Sequence, residues 1–451
     1  MNLNQIKQTF RKSRIDKVKI GGFDVDGILR GKYISSNKFF SVAESGLGFC
    51  DVIFGWDCAD ALYDRPSVTG WHTGYPDATA RIDLSTFRIL PWEPNTAFFL
   101  LDFFRSDRKP LAVSPRQVLR RIVEHAESMG YSPRAAIEYE YWLFREDPHS
   151  AREKRFLNLA PMTPGMFGYS LLRASVHSDL AHAILDAAHA LNIEIEGHHT
   201  ETGPGVYETA IRVDDALRAA DKAALFKTAV KVVAQKRGLM ATFMAKWNAA
   251  LPGSSGHIHQ SLMDLRARRN LFYGGSDRAL SPLMGHYLGG QLALMPEFAV
   301  MFLPSINSYK RTAPGTKSWA PVNATWGVDN RTTALRALLT GPKTTRVEHR
   351  LPGADANPYL ALAASLASGL YGVEQRLKPP KAAANAYDSE DAAPLPRTLK
   401  EANDLFIKSR AARDWFGGEF VDFYSLTRDW EVRQFERAVT DWELERYFES
   451  I

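Results

Sequence analysis

The chain has 451 residues, 45% hydrophobic and 24% charged, the composition of a soluble globular protein of two or three domains. No apolar run reaches the ~18 residues a membrane helix needs, the start MNLNQIKQTFRKSRID lacks the apolar core of a signal peptide, and Cys50 and Cys58 alone imply no disulfide framework. The net charge of +5 fits anionic small substrates, and without a Lys/Arg block to bind nucleic acid the chain is expected to be cytoplasmic, with neither nucleic acid nor membrane as partner.

Residues 1–13 read as a short amphipathic helix, and 17–35 as two strands around a turn at Asp26-Gly27. Further strand-like runs end near Phe104, so residues 1–105 form a small, mostly β domain. The polar, proline-bearing stretch 105–115 is the boundary to a large domain, 110–451. PRQVLRRIVEHAESMG has helical period and leads into AAIEYEYWLF, rich in β-formers. Residues 145–169 read as loop, 179–192 as an Ala-rich helix, and IEIEGHHTETGPGVYETAI as strand, turn and strand. A long helix spans 214–238, with strands at 239–247 and 255–264, a helix over 281–297, a strand at RVEHRLPG, a helix over 356–377, and helical ends at 399–412 and 428–448. The mixed order predicts α+β with an antiparallel sheet.

In a strand, side chains at i and i+2 leave the same face. Glu138 and Glu140 therefore point one way, with Tyr139 and Tyr141 opposite. Two parallel carboxylates on a buried strand repel each other, and a divalent cation between them relieves both the repulsion and the cost of desolvation. Three other segments repeat the pattern. IEIEGHHTETGPGVYE offers Glu196, Glu201 and Glu208; HIH places His257 and His259 on one face; RVEHR places Arg346, Glu348 and Arg350 on one face. Each alone is compatible with a solvated sheet face. Together they predict a funnel lined with ligands. Five Glu and one His form an oxygen-rich set suited to Mg²⁺ or Mn²⁺. Arg311, Arg331, Arg336, Arg346, Arg350 and Lys343 supply partners for phosphates and carboxylates, and with no Walker loop in the chain they point to phosphoryl transfer by another route.

The segments EYEYWLF, ETGPGVYE, GSSGHIHQSL, NSYKRTAPG, DNRTTALR, RVEHRLPGADANPYLALAASLASGL and NAYD, in this order over residues 110–390, resemble the glutamine synthetase family. The resemblance implies a small N-terminal β-grasp-like domain and a large domain whose curved antiparallel sheet forms a funnel-shaped active site. It implies that Glu140, Glu201 and Glu208 hold the metal near the substrate glutamate, and that Glu138, His257 and Glu348 hold the metal near the ATP phosphates. Arg311 and Arg350 match the residues that bind the carboxylates of glutamate, with Gly253 beside its amino end, and Arg331 the arginine that stabilises the transferring phosphoryl group. Glu196, His259, Ser261, Arg336, Lys343 and Arg346 match the nucleotide site. ATP then phosphorylates the γ-carboxylate of L-glutamate, and an amine displaces phosphate. The resemblance also implies a homo-oligomer, a dodecamer of two hexameric rings with each site between neighbouring subunits.

Where ammonia-using bacterial relatives carry Pro-Gly-Tyr-Glu-Ala-Pro, this chain reads Pro314-Gly315-Thr316-Lys317-Ser318-Trp319-Ala320-Pro321. Trp319 falls where the ammonium-site Glu is expected, with Lys317 the alternative. Pro252 stands where Asn is usual, and the acid that takes the amine's proton is Asp60 or Asp57. An indole suits an organic amine better than it suits NH4⁺. The chain therefore resembles the γ-glutamylamide ligase branch; ammonia-using glutamine synthetase and a non-catalytic structural relative are the competing readings. Tyr387 aligns with a tyrosine that some bacterial relatives adenylylate, but its SEDAAPLP surroundings differ, and no such regulation is expected.

Overall fold

β1 (Lys17–Phe23) and β2 (Leu29–Ser35) form a hairpin whose turn is fixed by Asp24: its Oδ1 accepts from the amides of Asp26 and Ile28, and Gly27 supplies φ +78°. A computed structural model describes residues 1–276, 279–313, 319–389 and 392–451 of the chain. β3 (Leu47–Cys50), β4 (Asp77–Ile82), β5 (Arg88–Ile89) and β6 (Thr96–Phe104) complete the first sheet in the order β2-β1-β6-β4-β3, with β5 on β6. Its central β6, TAFFLLDFF, is buried almost throughout and pairs parallel with β1, unlike the antiparallel neighbours. The helix Leu3–Lys12 is opened by an Asn2–Gln5 capping box and buries Ile6 and Phe10, four apart, so that Phe10 stacks on Phe39.

The second sheet runs β13-β14-β15-β12-β7-β9-β8, from β7 (Tyr131–Phe144), β8 (Ile195–Thr200), β9 (Val206–Ile211), β12 (Gly256–Asp264), β13 (Trp326–Val328), β14 (Leu335–Leu338) and β15 (Arg346–His349); β10 (Asp214–Asp215) and β11 (Met240–Thr242) pair with the long β7. All pairs are antiparallel except β13–β14. Helices Pro115–Ser128, Ala216–Gln235, Pro282–Phe302 and Pro358–Glu374 pack on one side, and Tyr139 and Tyr141 bury among them. The last two helices touch through glycine: a Cβ on Gly290 would lie 2.4 Å from Gly372 N. The Pro282–Phe302 helix runs past Pro296, beyond the expected end at 297. The expected strand at 239–247 is only β11, because the chain leaves the sheet where Lys246 N and O bond the Asn307 side chain. The stretch read as loop holds a helix at Pro148–Glu153, and a further helix, Leu171–Val176, precedes the Ala-rich one.

The two sheets share one core and are tied by a buried ion cluster. Arg116 Nε donates to Asp221 at 2.8 Å, Nη1 to Asp102 at 2.8 Å and Nη2 to Asp83 at 2.8 Å, while Tyr359 Oη donates to Asp221 at 2.7 Å. Arg116→Leu removes the common counter-charge and leaves buried carboxylates unpaired. It is expected to cost about 3–5 kcal/mol, read as the urea midpoint at fixed protein concentration. An unchanged midpoint would show that the cluster contributes nothing net.

Candidate active site

Register brings the period-two residues onto one face. Glu138 on β7 stands opposite His257 on β12, and Glu140 opposite Glu208 on β9. His259 stands opposite Glu348 on β15, which stands opposite Arg336 on β14. His257 Nδ1 is 3.2 Å from Glu138 Oε1 and 3.5 Å from Glu348 Oε1. Glu348, 1% exposed, also accepts from Arg336 Nη1 at 2.8 Å and from Arg350 Nη1. Burial pushes Glu138 up, but the His257 hydrogen bond and the charges of His259 and His257 outweigh it and hold the carboxyl at about 2. Burial likewise opposes ionisation of Glu348, yet His257, His259, Arg350 and Arg336 hold it well below the usual carboxylate range. Glu138 and Glu348 are therefore ionised at neutral pH, whereas burial pushes Glu140 up.

Among the described residues, three ligand groups have donor atoms within 4.8 Å of one another: Glu138, His259 and Glu348; Glu138, Glu208 and His257; His199, Glu201 and Glu208. Mostly carboxylate oxygen with imidazole, these sets fit Mg²⁺ or Mn²⁺. Both expected triads are altered: His259, rather than His257, joins Glu138 and Glu348, and Glu140 is absent from the other. Glu140 Oε2 accepts from Ser255 N at 2.5 Å and Ser255 Oγ at 2.7 Å, and His199 takes the third place beside Glu201 and Glu208. His199 was not singled out in the sequence because it adjoins His198. The strand sends the two to opposite sides: His198 bonds Thr209 and stacks on Tyr207, while His199 Nε2 lies 2.9 Å from Glu208 Oε1 and stacks on the exposed Tyr169.

Burial pulls His199 down, but the Glu208 hydrogen bond, the Thr200 carbonyl and the Glu208 and Glu201 charges raise it to about 9. A raised histidine lends stability that is fully present below its unfolded value of 6.5 and is lost as pH rises through about 9. Without divalent ions, the advantage in Tm of wild type over His199→Gln should therefore shrink across that window. Parallel curves would contradict the pairing.

Two cavities flank the acidic face. One, of about 240 Å³, is lined by Glu140, Glu201, Gly253, Arg311, Trp319 and Arg350, with Pro252, Val206 and Ala320. Arg311 and Arg350 are buried there, and the Nε of each has no partner among the described residues, which fits a carboxylate-bearing ligand. Burial pushes Arg311 down to about 10, leaving it cationic at neutral pH. The other cavity, of about 420 Å³, is lined by Glu138, Glu196, His259, Ser261, Lys343 and Arg346. Arg346 Nε donates to His259 Nδ1 at 3.1 Å. Arg336, expected with the nucleotide group, instead spans Asp329 and Glu348.

Three expected residues stay outside this cluster. Arg331 is exposed, its charge felt by Tyr169 at the mouth. Asp57 accepts from the amides of Ala59 and Ala61 and from Trp430 Nε1 at 2.9 Å, and Asp60 accepts from Arg30 Nη1 at 2.6 Å. Trp319 is 66% exposed at φ +61°, and Tyr387 Oη donates to Ala320 O at 3.4 Å. Thr316 and Lys317 lie outside the described residues.

The glutamine synthetase catalytic-domain family matches residues 112–447. A type-1 glutamine synthetase 2 from Dictyostelium discoideum is 48% identical, covering 100% of this chain and 86% of its own length. A glutamate–isopropylamine ligase from Pseudomonas sp. is 41% identical over 99% of this chain and 98% of its own. A gamma-glutamylethanolamide synthetase from Streptomyces coelicolor is 39% identical over 97% and 93%. The solved structure of GmaS without ligand superposes with a TM-score of 0.85 at 26% identity, covering 99% of both chains, and GmaS with ADP gives 0.85 at 27%. With the catalytic-domain family matching residues 112–447 and a relative 48% identical over the whole chain, the chain belongs to the glutamine synthetase family.

Proposed function

We propose that this protein joins the γ-carboxylate of L-glutamate to a small organic amine, converting ATP to ADP and phosphate by way of γ-glutamyl phosphate. The observation that carries this reading is the composition of the smaller cavity. Its polar wall, Arg311, Arg350 and Glu140, suits glutamate, and the wall beside it is apolar: Trp319, Pro252, Val206 and Ala320. An apolar wall gains from an amine with a hydrocarbon body and offers ammonium no counter-charge of its own, Glu140 and Glu201 of the same cavity serving glutamate and metal. The relatives named for isopropylamine and ethanolamide support it.

Arg311 and Arg350 hold the glutamate carboxylates. Glu138, His257 and Glu348, and Glu201 and Glu208 with Glu140 or His199, would hold divalent cations, which supply charge neutralisation between ATP and the γ-carboxylate. The nucleotide occupies the larger cavity, with Glu196, His259, Ser261, Lys343 and Arg346 around it. A γ-carboxylate oxygen attacks the γ-phosphorus, ADP leaves, and Arg331 faces the charge on the transferring group. The amine nitrogen then attacks the carbonyl carbon of the γ-glutamyl phosphate, phosphate leaves, and a carboxylate takes the amine's proton. Of the two candidates, Asp57 already accepts three hydrogen bonds, whereas Asp60 has a single side-chain partner, which favours Asp60. Neither touches the site of its own chain, in keeping with a ring in which each site lies between neighbours.

The parallel β1–β6 pair, with the hairpin beside it, supports a β-grasp-like unit over residues 1–105 and a catalytic unit over 110–451. Ammonia-dependent glutamine synthesis is the second reading, favoured by the name of the Dictyostelium relative. Mass spectrometry of a reaction with ATP, Mg²⁺, glutamate and isopropylamine should find the γ-glutamyl-isopropylamide and ADP in equal amounts. ADP without amide contradicts the proposal.

A further inference from the structure

Strand β15 has two faces. Glu348 meets His257 and Arg336, and Arg350, just beyond the strand, lines the smaller cavity; His349, between them, points into the helical layer, 1% exposed, with its ring against Phe302 at 4.4 Å. His349 Nδ1 lies 3.0 Å from Ser365 Oγ, on the Pro358–Glu374 helix. That hydroxyl is a crossing point. Gln260 Nε2, from β12, donates to it at 2.6 Å, and Gln291 Nε2, from the Pro282–Phe302 helix, donates to it at 2.9 Å. Gln291 Nε2 also donates to the Ser365 carbonyl at 3.0 Å, which fixes the orientation of its amide. Tyr287 Oη donates to Gln260 Oε1, which fixes the other.

A hydroxyl has one proton and two lone pairs. Both lone pairs of Ser365 Oγ are filled by amide N–H groups, so its proton must go to His349. Nδ1 therefore accepts and the ring proton sits on Nε2, which has no partner among the described residues. We propose that His349 is a positioning residue for the reaction: Ser365, carrying Gln260 and Gln291, clamps it as the neutral Nε2–H tautomer and so sets the pitch of β15, from which Glu348 meets His257 and Arg350 meets the glutamate cavity. Strand and helices are thereby joined at one side chain, and a shift of the ring moves the metal end and the carboxylate end of the site together. The inference rests on Glu348 and Arg350 acting as proposed above.

The test compares His349→Leu, which fills the space without an acceptor, with His349→Asn, whose side-chain oxygen can stand near the Nδ1 position. Expected for His349→Leu is a loss of Mn²⁺ affinity and a rise in the KM for glutamate, each about tenfold, with the KM for ATP less affected; His349→Asn should restore most of both. His349→Leu with wild-type Mn²⁺ affinity and glutamate KM but a lowered Tm would leave His349 merely structural and overturn the proposal. If His349→Leu does not fold, the ¹⁵N shifts of labelled histidine in wild type, assigned by loss of a signal in His349→Asn, decide instead: protonation at Nδ1 overturns it. Wild type that binds no Mn²⁺, or a Glu348→Gln variant that binds it normally, sinks the underlying site reading instead.

Discussion

Glu348→Ala is expected to lower phosphate release by at least about 10²–10³-fold, the scale of losing one preorganised charged group at a phosphoryl or oxyanion site. Glu348 is the anion around which Arg336, Arg350 and His257 are gathered. Without it the ligand group of Glu138, His259 and Glu348 loses a carboxylate, Arg350 loses its carboxylate partner, and Arg336 keeps only Asp329. Arg350 should then leave its position at the glutamate cavity, so KM for glutamate rises along with the loss of turnover. Circular dichroism checks that the fold persists, and Mn²⁺ titration checks the site. Glu348→Gln separates the two roles, because it keeps volume and one acceptor but removes the charge. If Glu348→Ala keeps even a tenth of the wild-type rate, Glu348 is not at the reacting centre.

The second large effect concerns the amine. Trp319, two-thirds exposed at the cavity mouth, contributes to no core and is free to cover a substrate. Covering roughly 60 Å² of an amine's hydrocarbon body is worth about 1.5 kcal/mol. Trp319→Ala should therefore lower kcat/KM for isopropylamine about tenfold and leave ammonium nearly unchanged. Trp319→Glu should raise activity with ammonium by restoring a charge partner, a gain of about 1.5–3 kcal/mol for one charge-assisted bond. Its φ of +61° is no better for Glu than for Trp, so the exchange adds no new backbone strain. An unchanged ranking of amines in Trp319→Ala would remove Trp319 from the specificity argument.

Much of the site was legible because a strand alternates its faces. Glu138/Glu140, His257/His259 and Arg346/Glu348/Arg350 sit at period two, and register alone brought them opposite one another. Period two fails at β8. A register shift between Ile195 and Gly197 breaks the count at Glu196, which lines the larger cavity, and His199 joins Glu201 and Glu208 while Glu140 is held by Ser255. Adjacent histidines cannot be assigned to faces without that bulge. The helix at Pro148–Glu153 did carry local signals, an Asp147 cap with Pro148 and Ser150 behind it, but its apolar face is too short to show a period. Long-range matters were not local at all: Arg116 meets Asp221 across 105 positions, and Ser365 meets Gln260 across 105 more. Asp57 showed the reverse, an acid whose chemistry looked open in sequence and whose carboxylate turned out to be filled by Ala59, Ala61 and Trp430.

The most direct test of the amine-ligase reading is kcat/KM for isopropylamine against ammonium, from phosphate release by wild-type protein with saturating ATP, Mg²⁺ and glutamate. The account predicts that the organic amine exceeds ammonium by at least about tenfold, since ammonium lacks a charge-assisted partner at Trp319. Equal values, a preference for ammonium, or no phosphate release with any amine would contradict it.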